Sequence, residues 1–182
     1  MVAHTRLLLE APIVPTLLRL AAPNIVVMVF LAATNTFDAY FVGWLGPEAL
    51  AGVSLVFPMM MLMQTMSAGG MGGGVASAIA RTLGAGRRED ANALMGHALV
   101  IALVMAVIFT TGVLWGGPAL YRAIGGTGGT LEAALAYSNV VFGGALAFWL
   151  LHTLGSLVRG TGNMLLPAVV IVGAGALHLT LS

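Results

Sequence analysis

The sequence contains no cysteine, and every basic residue in it is arginine, never lysine. The missing cysteine excludes disulfides, thiolate metal sites and thiol chemistry. The missing lysine rules out a phosphate-binding loop at the glycine cluster Gly69-Gly70-Met71-Gly72-Gly73-Gly74, because that motif ends in Gly-Lys-Ser/Thr. The four histidines lack the H-E-x-x-H and H-x-x-E-H spacings, so no metal site is expected. No G-x-S-x-G nucleophile motif is present, and no enzyme activity or cofactor is expected. Charge is scarcest of all. Only 7% of the 182 residues are charged and the net charge is +1. Soluble domains carry roughly 25% charged residues, and a net charge this small gives no reason to expect a nucleic-acid partner. The first apolar run is interrupted by Arg19 and by prolines, so it does not read as a cleaved signal peptide.

What the chain does have is hydrocarbon. Hydrophobic residues make up 59% of it, and its mean hydropathy is +1.02. A deficit of charge on this scale means that the surface meets lipid. A membrane β-barrel would show alternating segments of about ten residues, whereas these runs are longer and do not alternate. The fold class is therefore all-α integral membrane, a polytopic helical bundle. An interfacial lead over 1–15, with Arg6 and Glu10, precedes a transmembrane bundle over 16–182. Spans are predicted over 16–42, 49–83, 91–115, 131–158 and 164–182. The first span, at about 40 Å of helix, must tilt or kink, and Pro23 supplies a bend site. Gly116–Thr130 reads as a glycine-rich connection with one helical turn near Leu120–Ile124. Placing the amino terminus in the cytoplasm puts Arg6, Arg19, Arg81, Arg87, Arg88 and Arg159 inside and only Arg122 outside, as the positive-inside rule favours. Ser182 falls within a helix, so the chain is expected to be a piece of a longer transporter.

Asp38 stands out inside the first span. No other Asp or Glu lies well within a span, and an acid there costs at least about 2.5 kcal/mol on insertion scales. Thr34 and Asn35 precede it by four and three residues, so all three can share one helix face and solvate the carboxylate or a cation held by it. The competing reading is an interfacial acid near the turn at Trp44. The helix carboxyl end just beyond would repel such an acid. Met60, Met63 and Gln64 are candidates to line a path for apolar substrates, since thioethers repack easily. Core packing and an interhelical hydrogen bond are the plainer alternatives. The glycine cluster permits close helix approach or a flexible point. His97 reads as interfacial, and His152 as either a relay or a structural residue. Arg87, Arg88, Glu89 and Asp90 read as a solvated loop that sets topology.

Three segments resemble the multidrug and toxic compound extrusion (MATE) family. They are Phe37-Asp38-Ala-Tyr-Phe-Val-Gly-Trp-Leu-Gly-Pro-Glu-Ala-Leu-Ala-Gly52, Ala80-Arg-Thr-Leu-Gly-Ala-Gly-Arg-Arg-Glu-Asp-Ala-Asn92 and Leu157-Val-Arg-Gly-Thr-Gly-Asn163. Their order and spacing cover nearly the whole chain. The resemblance implies a secondary antiporter of twelve helices in two six-helix lobes, which exports organic, often cationic, compounds in exchange for protons or sodium. The chain would be most of the first lobe. Its partners would be membrane lipid, a small organic substrate, and the sixth helix and second lobe, and its location the cytoplasmic (plasma) membrane of a prokaryote. The resemblance makes Asp38 the cation-responsive acid and Pro23 the bend of the first helix. Fifteen residues separate them, about 22 Å of helix. Many relatives place an Asn and, four residues later, an acid on the fifth helix, where His178 and Ser182 stand here. With one carboxylate in place of two, the resemblance favours H+ over Na+ as the coupling ion. The rivals are a lipid or lipid-linked oligosaccharide flippase of the same broad fold, and a membrane scaffold that transports nothing.

Overall fold

Helix follows helix through the computed structural model, which describes residues 12–181 and all of their side chains except those of Arg19, Leu20 and Leu181. The lead expected over 1–15 lies mostly outside the described residues. Helix α1 is Ile13–Trp44 and α2 is Pro47–Gln64. A π-helical segment, Thr65–Met71, joins α2 directly to α3, Gly72–Gly84. Then come α4 (Arg88–Ala123), α5 (Gly128–Gly143), α6 (Ala145–Gly160) and α7 (Leu165–Leu181). No strand occurs among the described residues.

Three uninterrupted runs are long and apolar enough to cross a bilayer: Ile13–Trp44, Pro47–Gly84 and Arg88–Ala123. The pair α5 and α6 makes a fourth if its two halves count as one span, bent by 47° between them. Helix α7 is apolar but has 17 residues, below the roughly 20 of a usual span. The chain divides into two units. One holds α1 up to Phe37 together with α7, and the other runs from Asp38 to Gly162.

In the larger unit, small residues let helices approach. Helix α4 turns Ala91, Ala98, Ala102, Ala106, Phe109, Val113, Gly117 and Tyr121 inward, mostly at spacings of three and four that keep one face. Most of its bulky aliphatic residues, such as Ile101, Val104, Val107 and Ile108, face outward. That arrangement suits a solvent as apolar as leucine, where close packing rather than hydrophobic burial holds helices together. At Gly52 a Cβ would stand 2.7 Å from the Ala133 Cβ and 2.8 Å from the Ala134 nitrogen, so α2 and α5 touch backbone to backbone. Gly160 repeats this for α6 and α3, with a Cβ 2.9 Å from the Ala76 carbonyl and 2.8 Å from the Ile79 Cβ. The main core gathers Val56, Met63, Phe109, Tyr121, Phe142 and Trp149. A smaller one near the arginine-rich end holds Ile79, Ala91, Ala98 and Leu157.

Three features differ from the sequence expectation. Helix α4 does not stop at Trp115 but continues through Gly116, Gly117 and Pro118 to Ala123. Tertiary contact overrides weak helix propensity there: Tyr121 is fully buried, and its ring lies 3.3 Å from where a Gly117 Cβ would be. The fourth predicted span is broken at Gly143-Gly144, a pair at which helices commonly kink. Thr110 on α4 donates its hydroxyl to the Phe142 carbonyl just before the break, at 2.7 Å. Within the second span, the glycine cluster falls partly in the π-helical segment. Close approach occurs at Gly72, whose Cβ would lie 2.7 Å from Ser156 Oγ, whereas Gly73 and Gly74 have open space.

Thr110→Val should remove the side-chain bond to the Phe142 carbonyl at the bend, which also receives the Gly144 N–H. The expected loss of stability in the full-length protein is about 0.5–1.5 kcal/mol, the net worth of one intramolecular hydrogen bond. Thermal unfolding in detergent measures it, and an unchanged transition would show that the bend does not depend on this bond.

Candidate functional site

The acid in the first helix is the natural starting point. Asp38 lies in the carboxyl-terminal half of α1, six residues before the helix ends at Trp44, and it is half-buried. Tyr137, half-buried on α5, lies near enough for the carboxylate's charge to act on its hydroxyl. Both belong to the larger unit. A phenol is a donor that tolerates an apolar setting, so it suits a carboxylate that must keep a polar neighbour away from water.

The other expected residues fall into distinct places. Thr34 is buried, and its hydroxyl donates to the Phe30 carbonyl at 3.0 Å, four residues back on the same helix. Its proton is thus committed to its own backbone. Asn35 is exposed on α1. Pro23 lies within α1, which continues through it as one helix. Met63 is 2% exposed in the main core, and Met60 packs partly buried against that core. Gln64 has an exposed side chain, while its carbonyl accepts the Ser67 hydroxyl at 3.2 Å. His178 is exposed on α7, and Ser182 lies outside the described residues. His152 is half-buried, its ring 4.4 Å from that of Phe148. No group of three or more His, Cys, Asp or Glu able to hold a metal occurs among the described residues.

Beyond Asp38, Tyr40, Phe41 and Trp44 form an exposed aromatic cluster with ring centroids 5.2–5.9 Å apart. Such rings suit the headgroup level of a bilayer. Glu48, in the first turn of α2, reaches the start of α5, where a Cβ on Gly129 would collide with its carboxylate. A negative group is favoured at that helix end.

Sequence reading missed Tyr137. The signal was available in Ala-Tyr-Ser-Asn, a cluster of polar groups inside the predicted fourth span, but nothing local ties it to an acid a hundred residues earlier.

The fold and this acid can now be set beside known proteins. The sequence model described as MatE matches residues 23–182. The chain belongs to the MatE family. The FAD transporter of Shewanella oneidensis is 28% identical over 175 residues, 96% of this chain and 38% of that protein. An outward-facing multidrug resistance MATE family transporter of the MOP superfamily has a similar structure. Its TM-score is 0.86 at 32% identity, covering 91% of this chain and 36% of the other. MATE structures in bent and in straight conformations give TM-scores of 0.83 and 0.85 at 32% and 31% identity. Each covers 91% of this chain, and 37% and 36% of its own chain respectively. The chain thus spans well under half the length of these MatE relatives, and its helical architecture is that of part of a MATE membrane lobe.

If Asp38 and Tyr137 interact, Asp38→Asn and Tyr137→Phe should be non-additive in thermal stability. An interaction energy of roughly 0.5–3 kcal/mol is expected for side chains in one network. Strict additivity would show that the phenol and the acid are independent.

Proposed function

We propose that this chain forms most of the first lobe of a secondary efflux transporter in the plasma membrane, and that Asp38 is its cation-responsive group. The observation that carries the reading is a single acid, half-buried within a bilayer-length helix, whose charge reaches a tyrosine of the same unit. An ionisable residue kept inside a span is costly, and its retention points to use. Membership of the MatE family supports transport as that use.

The cycle runs on one exchange. A proton on Asp38 removes its charge and changes what Tyr137 can donate to. Loss of that proton restores an anion, which binds a cationic organic substrate or draws in another proton. Thr34 and Asn35 stand one helical turn earlier on α1, and Pro23 lies near its other end. A proline removes one rung of backbone hydrogen bonding, so α1 can pass between a straighter and a more bent form as the charge at Asp38 changes. That relatives have been captured both bent and straight supports a first lobe with two states. With a single carboxylate on α1, and His178 where a second polar group is expected, H+ is the preferred coupling ion over Na+. The substrate class proposed is organic and often cationic. The sixth helix and second lobe complete the pathway.

A second reading has an observation in its favour. The FAD transporter matched over nearly the whole chain makes an anionic flavin dinucleotide a possible cargo of the same lobe. One experiment separates the two. Vesicles carrying the full-length protein are loaded with a cationic dye or with FAD, and a proton gradient is imposed. Export of the dye, abolished by Asp38→Asn at normal expression, is the expected result. FAD export without dye export would favour the second reading, and undiminished export by Asp38→Asn would remove the acid from the mechanism.

A further inference from the structure

We propose that a water molecule is bound in the interior of the larger unit, between the π-helical segment and α6, at a site that does not include Asp38. Two buried donors on α6 carry the proposal. The indole N–H of Trp149 and the hydroxyl of Thr153 are each about 1% exposed, and neither has a hydrogen-bond partner. They are four residues apart, so they lie one above the other on the same helix face. Buried polar groups are almost always hydrogen-bonded, and two such donors side by side require an acceptor.

The behaviour of Thr153 is unusual within this protein. Thr16, Thr34, Thr36, Ser54, Thr82, Thr111 and Ser156 each donate to the carbonyl four residues back. Thr153 does not take up the same option, so its hydroxyl is turned away from its own helix.

The opposing surface is the π-helical turn. Ser156 packs on Gly72, and Gly160 packs on Ala76 and Ile79, so α6 and the second span run in the same direction. Followed backwards, that register sets Thr153 and Trp149 beside Thr65–Met71. The segment holds Ser67, fully buried, whose oxygen has lone pairs to offer besides the bond it donates to Gln64. A π turn also shifts its carbonyls out of the ordinary i→i+4 ladder, and such turns recur at functional positions. By this register the two donors lie level with a turn that holds acceptors, and the indole ring also packs against Phe109 of α4, with ring centroids 5.9 Å apart. A water can accept from the indole and the threonine and give its own hydrogens to the turn, making the two to four bonds typical of buried water. The occupant is neutral and small because both donors are neutral and each is about 1% exposed. The third buried orphan, the Tyr121 hydroxyl, stands on α4 and is not included in the site.

The sign of one substitution tests this. Thr153→Val keeps the shape and removes the hydroxyl. If the hydroxyl is truly unbonded, losing it relieves a desolvated group and Tm rises or stays level. If it holds a water, Tm of the full-length protein falls by several degrees, and Thr153→Ser restores most of the loss. A second measurement does not depend on stability. X-ray hydroxyl-radical labelling should modify Trp149 in the native protein despite its burial, and Thr153→Val should slow the labelling of that same residue severalfold. A Tm that rises or does not change, or Trp149 labelled equally fast in the native protein and in Thr153→Val, overturns the proposal.

Discussion

Hydrocarbon offers a backbone no hydrogen-bond partner, and that constraint shapes every irregularity in this chain. A helix inside a bilayer satisfies its own N–H and C=O groups, so any break in it must be made good from within the protein. At the Gly143-Gly144 bend, the Phe142 carbonyl is met by Thr110 from the neighbouring helix. In the second span the chain widens into a π-helical turn and returns to α-helix at Gly72 without leaving the helical path. Serine and threonine hydroxyls elsewhere are mostly returned to their own helices. The same constraint explains why alanine, glycine and serine stand where helices meet closely, beside a few large buried side chains such as Trp149 and Phe142, while many bulky aliphatic side chains face outward. In lipid those chains gain nothing by hiding, and close backbone contact is the available source of cohesion.

The charge at Asp38 is the case the constraint makes hardest. An insertion cost of at least about 2.5 kcal/mol is a large fraction of the 5–15 kcal/mol by which a fold is usually stable. A merely tolerated acid would be free to drift toward the headgroups. Here it is half-buried, with the tyrosine of another helix inside its field. Arginines behave otherwise. Arg81 and Arg159 lie at the ends of α3 and α6, bonded to Ser77 and Ser156 one turn back. They mark the end of the bundle rather than its middle. A flippase for phosphate-bearing lipids would be expected to carry several cations inside, and the larger unit does not have that arrangement among its described residues.

The first three long apolar helices, the turn at Gly46-Pro47 and the isolation of Asp38 within its helix were legible in hydropathy and charge. These features are local, and lipid leaves little room for alternatives. What escaped the sequence depends on contacts between distant residues. Gly116-Gly117-Pro118 reads as a loop until Tyr121 is seen buried against α5. The apolar run around Val140–Leu151 reads as one helix until Thr110 is found holding the bend. Met63 is buried in the main core, a placement that composition alone could not decide. Tyr137, Trp149 and Thr153 drew no notice because one polar group in an apolar helix gains meaning only from what faces it. The fifth-helix pair, His178 and Ser182, came from the resemblance alone, since nothing in the local sequence marks either residue.

The proposed transport cycle depends on a carboxyl group that takes up and releases a proton inside the membrane. Dicyclohexylcarbodiimide reacts with protonated carboxyls in apolar surroundings, and mass spectrometry locates the product. Applied to the full-length protein in vesicles, it should modify Asp38, faster as the pH is lowered and more slowly when a cationic substrate is present. Modification confined to other acids such as Glu48 or Glu132, with Asp38 untouched at every pH, would contradict the account.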